Sequence, residues 1–291
     1  MAGLSFVSND GTTWPFDGST GVTVAEGDTG IFDIPADLVI EQRVGLDGGV
    51  LASSRYSPRA VVLSFMLEGE PSILPLWGSF VASLAAGGKF VYDGPNGVRE
   101  LRQVCLEAPG RSMLGRDLQY RDVDVFTISF LALDPWWYGP AVEIDTPAAA
   151  DDVPFNADIA FNANVPFNGG SSATFTVVGD TSANPRFVLI AGGDPMGTGT
   201  VTDGTRMWET TMSVTPDGAF EVDARPGSRG PHVGSDLAVG SPAMPVNWSL
   251  LTESSRVFDL PVGTTTVSYA FDVAGANAII RLWYEPRWFT P

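Results

Sequence analysis

The chain has 291 residues, of which 44% are apolar and 11% aromatic, with 33 glycines, 22 prolines and a formal net charge of −18. That composition excludes a disordered chain, favours frequent turns over long helices, and gives enough length for two domains. The acidity is spread over both halves, −8 in residues 1–140 and −10 in 141–291. It argues against gripping nucleic acid while allowing a surface that DNA slides past.

No apolar run is long enough to predict a membrane-spanning helix. The opening "MAGLSFVSNDGTTW" has no basic start and no apolar stretch, so no signal peptide is expected. Cys105 is the only cysteine, which rules out an internal disulfide and leaves the redox compartment open. The bases are one lysine, Lys89, and fifteen arginines.

Taken in chain order, residues 1–34 read as short strands parted by turns. Strands follow at 38–45 ("LVIEQRVG") and 59–70 ("RAVVLSFMLEGE"). The segment "PSILPLWGSFVASLAAGG" (71–88) breaks the pattern. Ser72 is placed to cap a helix, Pro75 falls in its first turn, and Leu76, Trp77, Phe80, Val81 and Leu84 share one face. Gly87 and Gly88 then supply the stop. Residues 88–109 predict a hairpin about "DGPNG", and 110–122 a long loop or arm. That hairpin and arm are expected to cross to a neighbouring molecule. In "VDVFTISFLALD" (123–134) the alternation sends Val123, Val125 and Thr127 to one side and Phe126, Ile128 and Phe130 to the other. "DPWWYGP" (134–140) then ends a first domain over residues 1–140.

Residues 141–170 are expected to join two domains. Within them Phe155, Phe161 and Phe167 recur every six residues, each followed by Asn. An even period puts the three Phe on one side of an extended chain. A duplicated linker, a small β element and an adhesive surface are all compatible with this echo. From 171 to 291, runs of five to ten residues such as "ATFTVVGD", "RFVLIAGG", "GAFEVDA", "SRVFDLPVG" and "TTTVSYAFDVAG" suggest an antiparallel sandwich. "TVTDGTRMW" reads as a hairpin, and 223–247 as one long polar loop.

The search for chemistry returns little. His232 is the one histidine, and no G-x-S-x-G elbow accompanies it. One His and one Cys cannot make a zinc site. Lys89 in "SLAAGGKF" lacks the phosphate-loop pattern, so Gly87 and Gly88 are better read as a helix end. Glu68 with Glu70, and Asp122 with Asp124, are carboxylate pairs best read as solvated faces in so acidic a chain. The Asp-rich stretch 145–152 lacks the spacing of a calcium loop. No catalytic residue, metal or cofactor is expected. Trp136, Trp137 and Tyr138 are candidates for a domain junction. Trp208 and Trp248 are candidates for a sugar-stacking platform, with burial in a core as the plainer reading.

The order of these segments resembles a known family. A strand, short helix and hairpin over 61–110, a final strand running into Asp134-Pro-Trp-Trp-Tyr-Gly139, and an ending with Pro261-Val-Gly263 and Pro286-Arg-Trp288 look like the distal tail proteins of phages with long, non-contractile tails, in the type found in phages of actinobacteria. The Phe-Asn repeat is not part of that pattern. The resemblance implies a mainly β fold: a tail-tube-like domain with one short helix over 1–140, then a galectin-like sandwich over 171–291. It implies a structural role at the virion's tail tip for a protein made in the host cytoplasm. The expected assembly is a ring, commonly of six copies, joining the tail tube to baseplate hub or fibre proteins. DNA would pass through without specific binding, and no membrane insertion is implied. A carbohydrate-binding or host-adhesion module is the alternative reading.

Overall fold

A computed structural model of the chain describes residues 3–25, 29–33, 36–42, 49–112, 122–147, 171–216, 218–226, 228–234, 246–272 and 278–291. The protein is mainly β, with one α-helix among the described residues. It divides into two compact units, Met1–Pro140 with Arg287–Pro291, and Ala141–Pro286. The Phe-Asn repeat and the arm residues 113–121 lie outside the described residues.

The first unit contains β1 (Leu4–Ser8), β2 (Thr13–Pro15), β3 (Val22–Val24), β4 (Ala36–Gln42), β5 (Gly49–Tyr56), β6 (Arg59–Glu68), helix α1 (Leu74–Ala85), β7 (Gly88–Gly94), β8 (Gly97–Ser112), β9 (Val123–Ala132) and β10 (Trp137–Tyr138). Seven of these form an antiparallel path β2-β1-β7-β8-β9-β6-β3. The end strands meet through the turn that joins them: Asp17 bridges Thr23, and the Gly18 amide donates to the Val22 carbonyl at 3.1 Å. One face of this sheet is packed into the core, which is why the period-2 pattern is so clean. On β6 the buried residues include Val61, Leu63, Phe65 and Leu67, and on β9 Phe126, Ile128 and Phe130. The β9 assignment from sequence is met residue by residue.

Helix α1 covers this core with Phe80 and Leu84, and Trp77 stacks on Phe126 at 3.9 Å between ring centroids. The Ser72 hydroxyl accepts the Leu74 amide at 3.2 Å, while Ile73 occupies the capping position without a side-chain bond. Gly87, at φ +70°, then turns the chain directly into β7. Phe130 sits at the centre of the aromatic core, its ring 5.1 Å from Phe90, 6.2 Å from Phe65 and 6.3 Å from Phe6.

The hairpin of β7 and β8 corrects one expectation. It is not a free arm: β7 pairs with β1 on its other side, and β8 pairs with β9, so both strands are used within one sheet. The β4–β5 hairpin is the one that stands apart, pairing only with itself among the described residues.

In the second unit, one sheet runs β11-β19-β13-β16-β17 and the other β12-β18-β14-β15. Their strands are β11 (Val142–Pro147), β12 (Ser171–Val177), β13 (Arg186–Ile190), β14 (Gly199–Thr202), β15 (Met207–Glu209), β16 (Ala219–Asp223), β17 (Gly230–Gly234), β18 (Gly263–Phe271) and β19 (Ile279–Tyr284). Both sheets feed one core, with Phe175, Val267 and Tyr269 from the second and Phe187, Phe220 and Leu282 from the first. Strand β18 alternates strictly, as a sheet with one dry face should. Strands β13 and β16 are buried on both faces. Their second face carries charge, and it is paired. Arg186 makes a two-pronged bond to Glu221 at 2.6 and 2.7 Å, and Arg225 does the same to Asp223. Burial works against the Arg186 cation, but the Glu221 carboxylate outweighs it and raises the guanidinium's pKa.

Three sequence readings need revision here. Residues 142–147 are not a free joining stretch but a strand in full register with β19. The stretch 223–247 is not all loop, because β17 lies inside it; Gly and Pro hid a strand at a sheet edge, where a missing N–H is tolerated. "SRVFDLPVG" (255–263) is not a strand of its own: Leu260 makes an isolated bridge to Ala183, and only Gly263 enters a strand, as the first residue of β18. The Asp203-Gly204 hairpin does form between β14 and β15.

Because Phe130 contacts three other core rings, replacing it with Ala is expected to destabilise the protein by about 3–5 kcal/mol. Urea unfolding followed by tryptophan fluorescence measures this directly.

Candidate functional site

The Asp-Pro-Trp-Trp-Tyr segment forms a clasp in the first unit. Asp134 organises it locally, accepting the Trp136 amide at 3.3 Å and the Tyr138 hydroxyl at 2.8 Å. Strand β10 pairs on one side with Leu101 and Glu100 of β8 and on the other with β20 (Arg287–Trp288). The chain therefore leaves this unit at Pro140 and returns to it with its last five residues.

Arginines grip the returning end. Arg59 is 1% exposed and donates to four carbonyl oxygens: Pro135 at 2.9 Å, Gly30 at 2.9 Å, Ile31 at 2.8 Å and Phe289 at 2.6 Å. Arg99 donates to the Thr290 carbonyl at 2.6 Å and lies over the Trp288 ring at 4.1 Å. Burial pushes the Arg59 pKa down to about 10, with the charge of Asp33 pulling the other way, so the side chain stays cationic at neutral pH. Gly30 makes this possible. At φ +87° its missing Cβ would fall 1.9 Å from the Ala60 carbonyl oxygen, so no other residue lets this loop press so closely on β6.

All three aromatic candidates are anchored in this clasp. Trp137 is fully buried and donates from Nε1 to the Ile31 carbonyl at 3.2 Å. Trp136 contacts Tyr56 at 4.5 Å and Phe289 at 5.3 Å, with Arg287 over its ring. Tyr138 lies under Arg102 at 4.8 Å. Sequence reasoning missed Arg59, although the signal was present. Position 59 is in phase with the buried positions 61, 63, 65 and 67, so an arginine there had to be inward.

The two sugar-platform candidates separate. Trp208 is 0% exposed, packed between Phe187 and Phe220, and has no face to offer a ligand. Trp248 is 54% exposed on a short 3-10 turn, Trp248–Leu250, at the rim of a groove.

The remaining polar candidates do not converge on one place. His232 is buried in β17 with Nε2 3.0 Å from the Ser228 carbonyl. Lys89 pairs with Glu100 at 2.6 Å. Glu68, Glu70 and Asp122 are exposed, whereas Asp124 is buried and accepts its neighbour's amide. Asp145 is bound by Arg281 at 2.8 and 2.9 Å, which lowers its pKa. Among the described residues no three His, Cys, Asp or Glu side chains gather as a metal set.

No protein-family model and no curated protein matches the sequence. Solved structures do match the fold. The chain is similar to the Dit protein of phage SPP1, described as a paradigm of the hub adsorption apparatus in phages infecting Gram-positive bacteria. That likeness has 15% identity and a TM-score of 0.66, over 98% of each chain. It is also similar to a chain of the phage P2 baseplate in its activated conformation. The structure with Ca gives 9% identity and a TM-score of 0.53 over 99% of this chain and 98% of that one. The structure with Sr gives 10% identity and 0.51 over 99% of each. This chain thus shares its fold with the SPP1 Dit protein and with a chain of the P2 baseplate.

Replacing Arg59 with Leu leaves four carbonyls without their donor and is expected to cost about 3 kcal/mol. Limited proteolysis should then release the C-terminal residues before the rest of the chain unfolds, which mass spectrometry of the fragments checks.

Proposed function

We propose that this protein is a structural component of a phage tail tip, of the distal tail type. Copies of the first unit join into a ring, in the manner of the six-copy rings that the sequence resemblance implies. That ring links the tail tube to baseplate hub or fibre proteins and leaves a hole for DNA. The observation that carries this reading is the agreement of both units, over 98% of each chain, with the SPP1 Dit protein. A likeness confined to one sheet would support much less, because single β folds host many functions.

Two features of the chain suit the role. The β4–β5 hairpin pairs only with itself among the described residues, so its outer edges are available to a neighbouring copy. It takes the place of the 88–109 hairpin as the element proposed to cross between copies. The net charge of −18 suits a passage for DNA, since an acidic wall repels the phosphate backbone and limits sticking. The second unit is proposed as the outward, galectin-like part, and bond-making chemistry has no place in this scheme.

Negative-stain imaging and light scattering of the purified protein test the proposal. Rings are expected, and replacing residues 38–53 with a short Gly-Ser connector is expected to leave folded monomers. A wild-type protein that stays monomeric at high concentration, and is missing from tail tips in the intact particle, would refute it.

A further inference from the structure

We propose that the groove beside Trp248 in the second unit binds a saccharide chain carrying an acidic group, either carboxylate or phosphate. The groove has a volume of about 870 Å³, within the range of small-ligand sites. Its lining includes Trp248, Arg229, Arg256, Ser249, Thr252 and Glu253.

Trp248 is exposed but fixed. Asn247 caps its turn, accepting the Ser249 amide at 3.2 Å through its side chain and the Leu250 amide at 3.1 Å through its carbonyl. The Asn247 amide is itself tied to the Pro231 carbonyl at 3.0 Å. The indole packs against Gly230, where a Cβ would lie 3.3 Å from Cζ2. A large ring held in place with half its surface in water is a stacking face for the C–H side of a pyranose, and little ordering is needed on binding.

The floor is equally fixed. Leu251 bridges Thr210, the Thr252 amide donates to the Glu209 carbonyl at 3.0 Å, and the Arg256 amide to the Met207 carbonyl at 2.7 Å. These bonds fasten residues 251–256 along β15.

The polar groups decide the ligand class. In a chain with only 16 bases against 34 acids, two arginines line one groove. Arg256 donates from Nη1 only to the backbone carbonyls of Glu253 and Ser255, at 3.3 and 2.9 Å, and pairs with no carboxylate among the described residues. Its guanidinium keeps donors for a planar or tetrahedral anion. Arg229 is held by the Val257 carbonyl at 2.5 Å, with Asp259 at 3.6 Å. The Ser249 hydroxyl donates to Asn247 Oδ1 at 2.7 Å and the Thr252 hydroxyl bonds the Ser255 hydroxyl at 3.0 Å, so Ser249 offers a sugar hydroxyl an accepting oxygen, as does the exposed Glu253 carboxylate. A single aromatic face among hydroxyls and guanidiniums suits a glycan better than the apolar surface of a protein partner. Repulsion from acids more than about 8 Å away is screened at physiological salt, and within the groove lining two arginines stand against one carboxylate, Glu253.

The inference does not rest on the tail-tip reading and can fail without it. The test is a fluorescence titration of the full chain, with saturation-transfer NMR, against three probes: a glucuronate-containing tetrasaccharide, a ribitol-phosphate oligomer and neutral cellotetraose. Saturable binding of one or both acidic chains is expected, and which one binds separates carboxylate from phosphate. Cellotetraose should bind at least about tenfold more weakly. Trp248→Ala and Arg256→Gln should each weaken binding by about tenfold, while Val262→Ala, an exposed residue that is not part of the groove lining, should not. No binding by either acidic chain, equal binding of cellotetraose, undiminished binding by both groove variants, or a full response to inorganic phosphate alone would each overturn it.

Discussion

The buried guanidinium of Arg59 is the constraint on which the first unit depends. A cation removed from water is costly unless every donor finds a partner. Here the partners are four carbonyl oxygens from three stretches of chain: the loop at Gly30 and Ile31, the turn at Pro135 and the tail at Phe289. Trp137 shares the Ile31 carbonyl, so the same node holds the aromatic segment that closes the unit. The end of the chain is therefore a structural part, and the excursion through the second unit is bracketed by one hydrogen-bonded knot.

A fold can agree over 98% of both chains at 15% identity because of what a β-structure asks of its sequence. Alternation must match the pleat and core volume must be filled, but many apolar residues meet both demands. Less replaceable are glycines such as Gly30, where backbone meets backbone, and polar groups whose partners come from far along the chain.

The arginines of the second unit show one residue type in two roles. Arg186 is 4% exposed and locked on Glu221, and its charge is spent on holding strands together. Arg256 is exposed and, among the described residues, donates only to backbone carbonyls, which is the ground for the ligand role proposed for it. Partners and exposure separate structure from recognition here, and composition cannot.

The sequence by itself determined the mainly β character, the helix at Leu74–Ala85, the inward side of β9 and the hairpin at Asp203-Gly204, because periodicity and turn chemistry are local properties. It also carried the order of segments that resembles distal tail proteins. Only the tertiary structure decided that β7 and β8 lie inside a sheet, that residues 142–147 pair with β19, and that the chain's end returns to the first unit. It alone made Trp208 core and left Trp248 in water. Trp208 lies in "RMWET" and Trp248 in "VNWSL", and neither setting says which indole is covered; burial depends on the strands and loops brought beside each, and those pairings join residues far apart along the chain.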